Sequence, residues 1–185
     1  MLETDILGIN ERNLGFIRPY NKRSAIRLAD DKLATKKLLM RTGIPTPKLY
    51  AVIQNVKDLE EFNWDKLPAK FVVKPNRGFG GEGIVILRRK LRKEEFLKLS
   101  LEEREWVTSA GEVWTFERLK SHILDILDGN FSIEGLPDTV LIERRLTTHP
   151  VFKDYTRMGI PDIRVIVFNK VPVMAMSRLP TEMSK

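Results

Sequence analysis

An α+β fold is what this sequence predicts, on three observations. Short β-branched runs at 70–74 (KFVVK), 83–87 (GIVIL) and 139–143 (TVLIE) have the length and composition of strands. Two segments, 30–43 and 115–129, carry helix period with caps and stops. The chain then closes on two more strand-like runs, DIRVIVF (162–168) and VPVMAMSR (171–178), with a hairpin at Asn169-Lys170.

In chain order, residues 1–29 show no clear period, and RNLGFIRPYNKR (12–23) suggests an irregular basic arm. Asp30 or Asp31 can cap the first helix, which runs through KLATKKLLMRT and stops at Gly43, with Pro45 and Pro47 enforcing the exit. Lys32 and Lys36 lie one turn apart and share a face, while Leu33, Ala34, Leu38 and Leu39 would form the buried side. LYAVI (49–53) is strand-like, followed by a short helix over 56–62. The charged segment 88–106 suits either a helix or a mobile insertion. Thr115 caps the second long helix, with Phe116, Leu119, Ile123, Ile126 and Leu127 as its apolar stripe and Gly129 as its stop.

Composition narrows the functional classes. At 185 residues, with 42% hydrophobic and 31% charged residues, the chain suits one domain with a real core. No run is long enough to span a bilayer, and MLETDILGIN has no basic-then-apolar leader pattern. Without cysteine there is no disulfide framework and no thiolate metal site, which fits a reducing, cytoplasmic location. The net charge of +7 is concentrated early, where Arg12, Arg18, Lys22, Arg23, Arg27, Lys32, Lys36, Lys37, Arg41 and Lys48 meet few acids. Such a run is usually a solvated face. Binding of single-stranded nucleic acid would call for interleaved aromatics, and this stretch offers only Phe16 and Tyr20.

The most informative stretch is KPNRGFGGEGIVIL (74–87). Its G-x-G-x-x-G spacing matches a dinucleotide-binding turn, but that turn must open a helix, and here a strand follows. A Walker A loop needs its lysine after the glycines, followed by Ser or Thr. A kinase loop has its lysine on the following strand, and Lys74 precedes the glycines. What remains is a β-hairpin with a lysine at its base. Lys74 can neutralise phosphate charge, backbone N–H groups over 76–83 can donate to phosphate oxygens, and the glycines allow close approach. The plain alternative is a tight hairpin beside a surface lysine.

Four stretches in sequence order resemble ATP-grasp domains: DKLATKKLLMRTGIPTP the opening helix, FVVKPNRGFGGEGI the lysine strand and phosphate-covering loop, VLIERRL the hinge strand, and DIRVIVF with VPVMAMSR the paired strands lining the site. The likeness covers nearly the whole chain and is nearest to the alpha-L-glutamate ligase-like branch, related to the ribosomal-protein glutamate ligases. It implies an ATP-grasp fold of two α+β lobes around a nucleotide cleft, divided as a basic arm (1–29), an N-terminal lobe (30–138), and a hinge with the start of a C-terminal lobe (139–185). It also implies ATP and Mg²⁺ as cofactors, a carboxylate donor and an amine acceptor as substrates, and an acyl-phosphate intermediate.

By the same resemblance, Lys32 and Lys74 contact the nucleotide phosphates, and a loop containing Asn76, Gly78, Phe79, Gly80, Gly81 and Gly83 closes over them. Glu143 accepts from the adenine amino group, backbone groups of Arg144 and Leu146 read the ring, and Asp162 holds the ribose hydroxyls. Arg164 and Arg178 stabilise charge at the transferring phosphoryl or acyl phosphate. Each has a simpler alternative: Lys32 as an exposed helix lysine, Glu143 as a surface partner of Arg144 or Arg145. His122 and His149 suit structural or solvent-exposed positions better than ligand roles, and Met174 with Met176 suits strand packing.

Along 162–168, Asp162, Arg164, Ile166 and Phe168 share one face. A two-residue turn after Phe168 puts Arg178 on the opposite face from Asp162; a three-residue turn through Val171 places it across from Asp162, which is the expected arrangement. The family's Mg²⁺-binding acids, commonly ending in Glu-x-Asn, do not follow MAMSRLPTEMSK. The expectation is a C-terminally truncated chain that supplies an ATP site but does not ligate alone, with an exposed strand edge that favours self-association. The other readings are a non-catalytic ATP-binding or regulatory module and a basic nucleic-acid-binding domain.

Overall fold

The computed structural model describes residues 7–180 apart from 79, 133, 134, 157 and 158, so the expectation for Phe79 lies outside the described residues. The basic arm is helical rather than irregular: an α-turn, α1 (Ile9–Glu11), runs into a π-helical stretch (Arg12–Ile17) and a second turn, α2 (Arg18–Tyr20). Helix α3 (Arg23–Asp30) follows. Gly15 and Pro19 hid this at the sequence level, because neither residue favours a helix interior. Pro19 is tolerated because it falls in the first turn of α2, where its missing N–H costs nothing.

Asp31 caps α4 (Lys32–Arg41) by accepting from the Ala34 N–H at 2.8 Å, and Gly43, at φ +76°, closes it. The side of α4 expected to be buried is not the one the fold uses. Leu38 is exposed, Leu33, Ala34 and Leu39 are half-buried, and the buried residue is Lys36. An electrostatic partner at the sheet decides which side turns inward.

Strands β1 (Leu49–Ile53), β2 (Lys70–Pro75), β3 (Val85–Arg89), β4 (Glu105–Thr108), β5 (Val113–Thr115) and β6 (Val140–Arg144) form one antiparallel sheet in the order β1-β6-β2-β3-β4-β5. A short helix α5 (Val56–Glu60) and a 3₁₀ turn (Trp64–Lys66) connect β1 to β2. Strand β6 is the second of the six, between β1 and β2. Strand alternation gives the sheet two faces. Ile53, Phe71, Val73, Leu87, Val140 and Ile142 are buried in the core, while Val72, Lys74, Leu141 and Glu143 point the other way.

Helix α7 (Phe116–Leu127) covers the core face, capped by Thr115, and all five residues of its apolar stripe are buried. Burial of each large side chain contributes roughly 1.5–3 kcal/mol. Segment 88–106 is neither a long helix nor a loose insertion. It contains a short helix, α6 (Lys93–Phe96), and leads into β4, held by buried Phe96, Arg104 and Trp106. Arg104 donates to Asp65 at 2.6 Å and lies over the Phe96 ring, and Phe96 meets Trp106 edge-on with centroids 5.3 Å apart.

Gly129 ends α7 at φ +87°, and a Cβ there would stand 2.3 Å from the Leu136 carbonyl oxygen. Gly129→Ala is therefore expected to cost about 2 kcal/mol or more, lowering the melting temperature by about 4–8 °C in thermal unfolding.

Strands β7 (Asp162–Phe168) and β8 (Val171–Arg178) form a separate two-stranded hairpin, exposed along its whole length. Phe168 packs edge-on against Tyr20 and Phe16 of the arm, at 4.9 and 6.4 Å between centroids. The turn has two residues, not three: Asn169 and Lys170 both have positive φ, as the twist of a two-residue hairpin requires. Arg178 is nonetheless directly opposite Asp162, because a register shift between Ile166 and Val167 adds one residue to β8 and restores the parity.

Candidate functional site

The outward face of β2 and β6 carries Lys74 and Glu143, on neighbouring strands in the middle of the sheet. Glu143 is only 3% exposed, and two ammonium groups converge on it. Lys74 Nζ lies 2.6 Å from Oε2, and Lys36 Nζ lies 3.0 Å from Oε1. The Lys36 contact is an ion pair by distance but not a directed hydrogen bond, so Oε1 is a buried acceptor without a donor among the described residues. Lys36 itself donates to the Pro47 carbonyl. A β-bulge between Leu49 and Ala51 lies beside this cluster, where β1 pairs with Glu143.

Lys32, one turn before Lys36, reaches the other side of the site. Its Nζ donates to the carbonyl oxygens of Asn76 and Gly78, each at 3.0 Å, and so grips the start of the glycine loop. Asn76 is buried with its side chain committed to α4: Oδ1 accepts from the Leu33 N–H at 2.8 Å, and the amide supports Asp31. The N–H groups of Asn76 and Arg77 are also taken, by the Thr139 carbonyl and the Asp138 carboxylate. Donors for a phosphate must therefore come from further along the loop. Gly80, Gly81 and Gly83 there all have positive φ, a conformation that side chains other than glycine rarely adopt.

The electrostatics identify what this face lacks. Burial lowers the Lys32 pKa below the usual lysine range, and the positive charge of Lys74 lowers it further; Asp138, Asp30 and Asp31 oppose the shift only in part. Two ammonium groups thus share one carboxylate, Glu143, while a third, that of Lys32, holds the carbonyls at the start of the glycine loop. Two mutually repelling lysines and glycine backbone free of side chains suit a polyphosphate.

Not every expected residue joins this cluster. Asp162 and Arg178 lie on the separate hairpin and hold each other: Arg178 Nε is 3.0 Å from both carboxylate oxygens and Nη2 is 2.7 Å from Oδ2. Arg164 is exposed on the same strand, with Met176 opposite. Among the described residues, no hydrogen bond or ion pair joins these three to Lys74 or Glu143. The Arg144 N–H is taken by the Lys48 carbonyl at 2.8 Å, and Leu146 is exposed just beyond the strand. Lys36 was not among the expected site residues. Its one signal was the four-residue spacing from Lys32.

His122 of α7 lies under the far end of the loop, with Nε2 2.9 Å from the Gly83 carbonyl oxygen and its ring 5.3 Å from both Trp114 and Phe131. Burial lowers its pKa below 6.5, opposed by the Gly83 hydrogen bond and Asp125 and aided by Arg118. Glu112 binds both Arg118 and the Trp114 indole and completes the charged surroundings. In acid the unfolded chain takes up this proton before the folded one does. Stability contributed by His122 is therefore expected to fall as pH drops below about 6.5, until the folded-state pKa is reached. Thermal melts of wild type and His122→Gln across that window check this, the substitution removing that part of the pH dependence.

A lysine inside the sheet, a glycine hairpin at its rim and a carboxylate held by two lysines form an arrangement that suits phosphate. The model of the sugar-transfer associated ATP-grasp family matches residues 11–185, and the chain belongs to that family. No curated protein and no solved structure matches it significantly. Membership places the protein among ATP-binding, ligase-like proteins, a superfamily that generally binds ATP and Mg²⁺. The lysine cluster and loop fit the phosphates of ATP. For Mg²⁺, the described residues contain no group of three His, Cys, Asp or Glu side chains that could hold a metal ion.

Proposed function

We propose that this chain is the ATP-binding part of an ATP-dependent carboxylate–amine ligase that works through an acyl phosphate. The observation that carries the reading is the placement of Lys74 and Lys32 at the start of the glycine loop, one from the sheet and one from α4, with the Lys74 charge acting on Lys32. In this reading Lys74 meets the phosphates from the sheet and Lys32 from the helix. Glu143 orients Lys74, and Lys36 balances the second oxygen of Glu143. The 76–83 loop covers the phosphates, and the exposed backbone after β6, at Leu146, would read the adenine ring, since the Glu143 carboxylate and the Arg144 N–H are already engaged. Asp162 would hold the ribose hydroxyls, and Arg164 and Arg178 would stabilise charge on the transferring phosphoryl group.

Bound ATP supplies the phosphoryl group that activates a carboxylate for attack by an amine. This chain's own residues bind and orient the phosphates and neutralise their charge. The glutamate ligase-like branch is the proposed finer kinship; the order of the Lys74, glycine-loop and Glu143 motifs is that of ATP-grasp domains in general, and the family that matches is the sugar-transfer associated one. Calorimetric titration with MgATP is expected to show one-site binding, and single-stranded RNA none. Sustained ATP-dependent ligation by these 185 residues would overturn the assignment to the binding part alone. RNA binding without ATP binding would overturn the reading as a whole.

A further inference from the structure

The glycine loop is fastened at both ends to one scaffold, α7 and the turn that follows it. At its start, Gly78 bridges to Ser132, and Arg77 N–H donates to Asp138. At its end, the Gly83 carbonyl meets His122 Nε2. A carbonyl only accepts, so Nε2 carries the proton and donates. Gly83 is at φ +70°, and a Cβ there would stand 2.7 Å from the Phe131 ring. The ring of Phe131 and the ring of Trp114 hold the imidazole in position. The segment between these anchors, where Gly80 and Gly81 take positive φ, makes no such attachment to α7 among the described residues.

We infer that His122 is a positioning residue for phosphate binding: its Nε2–H fixes the Gly83 carbonyl and thereby sets the conformation from which the loop's N–H groups meet the phosphates. It touches no substrate itself and acts through the backbone of the loop. The inference rests on the nucleotide reading above, although the anchor exists independently of that reading.

Two substitutions separate the donor from the packing. His122→Phe keeps an aromatic ring without the donor, and His122→Gln keeps an N–H donor near the Nε2 position. Affinities for ATP and AMP are measured for wild type and both variants, together with amide exchange over 80–84. His122→Phe is expected to bind ATP about tenfold more weakly, consistent with loss of one buried hydrogen bond, and to exchange faster in the loop. His122→Gln should stay within about threefold of wild type, since it restores the donor. AMP affinity should change less than ATP affinity, because AMP carries only one of the three phosphates. Equal losses for ATP and AMP, equal losses in the two variants, or loop exchange unchanged in His122→Phe would each overturn the inference. Wild type that fails to bind ATP would defeat the nucleotide reading, while the exchange measurement would still decide the anchor.

Discussion

Lys74→Ala is expected to weaken ATP binding about 100-fold while leaving the fold intact. A charge-assisted hydrogen bond to a phosphate is worth roughly 1.5–3 kcal/mol, and partial burial of Lys74 puts it toward the upper end. Stability should fall as well, by about 1–3 kcal/mol, because the buried Glu143 loses the partner of its Oε2 and keeps only Lys36 to balance its charge. Titration calorimetry gives the affinity and thermal unfolding the control. Under a nucleic-acid-binding reading the same substitution would barely matter, since Lys74 is one of 32 basic residues.

The second large effect is on stability. Glu143→Gln leaves two ammonium groups in a partly desolvated place with no carboxylate. Breaking a buried ion pair by removing one partner costs about 3–5 kcal/mol. For a chain of this size that is a drop of about 6–20 °C in melting temperature. Lys36 is the main source, being buried within the fold, whereas Lys74 can turn toward solvent. Adding Lys36→Met to Glu143→Gln should therefore recover part of the loss. The coupling is read from the double-mutant cycle, and additive losses would show that the pair is not energetically linked.

Much of this architecture was legible in local pattern. The cap at Asp31, the stripe of α7, the strands around the glycine loop and the stop at Gly129 each depend on residues close in sequence. The failures share a cause, which is dependence on distant partners. Segment 88–106 looks uniformly charged until Arg104 finds Asp65 and Trp106 finds Phe96. The inward side of α4 is not readable from apolar periodicity, because Lys36 is drawn inward by a glutamate more than a hundred residues away. In the closing hairpin the opposition of Asp162 and Arg178 was anticipated, but it arises from a bulge and not from a longer turn. For the site itself, Lys74 and the glycines were visible as a motif. The service of Asn76 to α4 and the anchoring of the loop by His122 join residues about forty positions apart and leave no local pattern.

The most direct measurement is nuclear magnetic resonance of the lysine side chains, with ¹³Cε shifts followed against pH with and without ATP. Without nucleotide, Lys32 should titrate below the ordinary lysine range, for the burial and Lys74 repulsion described above. With ATP bound, the negative phosphates should raise the Lys32 midpoint and shift the Lys74 resonance. An unchanged Lys32 midpoint at saturating ATP, or perturbation confined to lysines outside this face, would contradict the account.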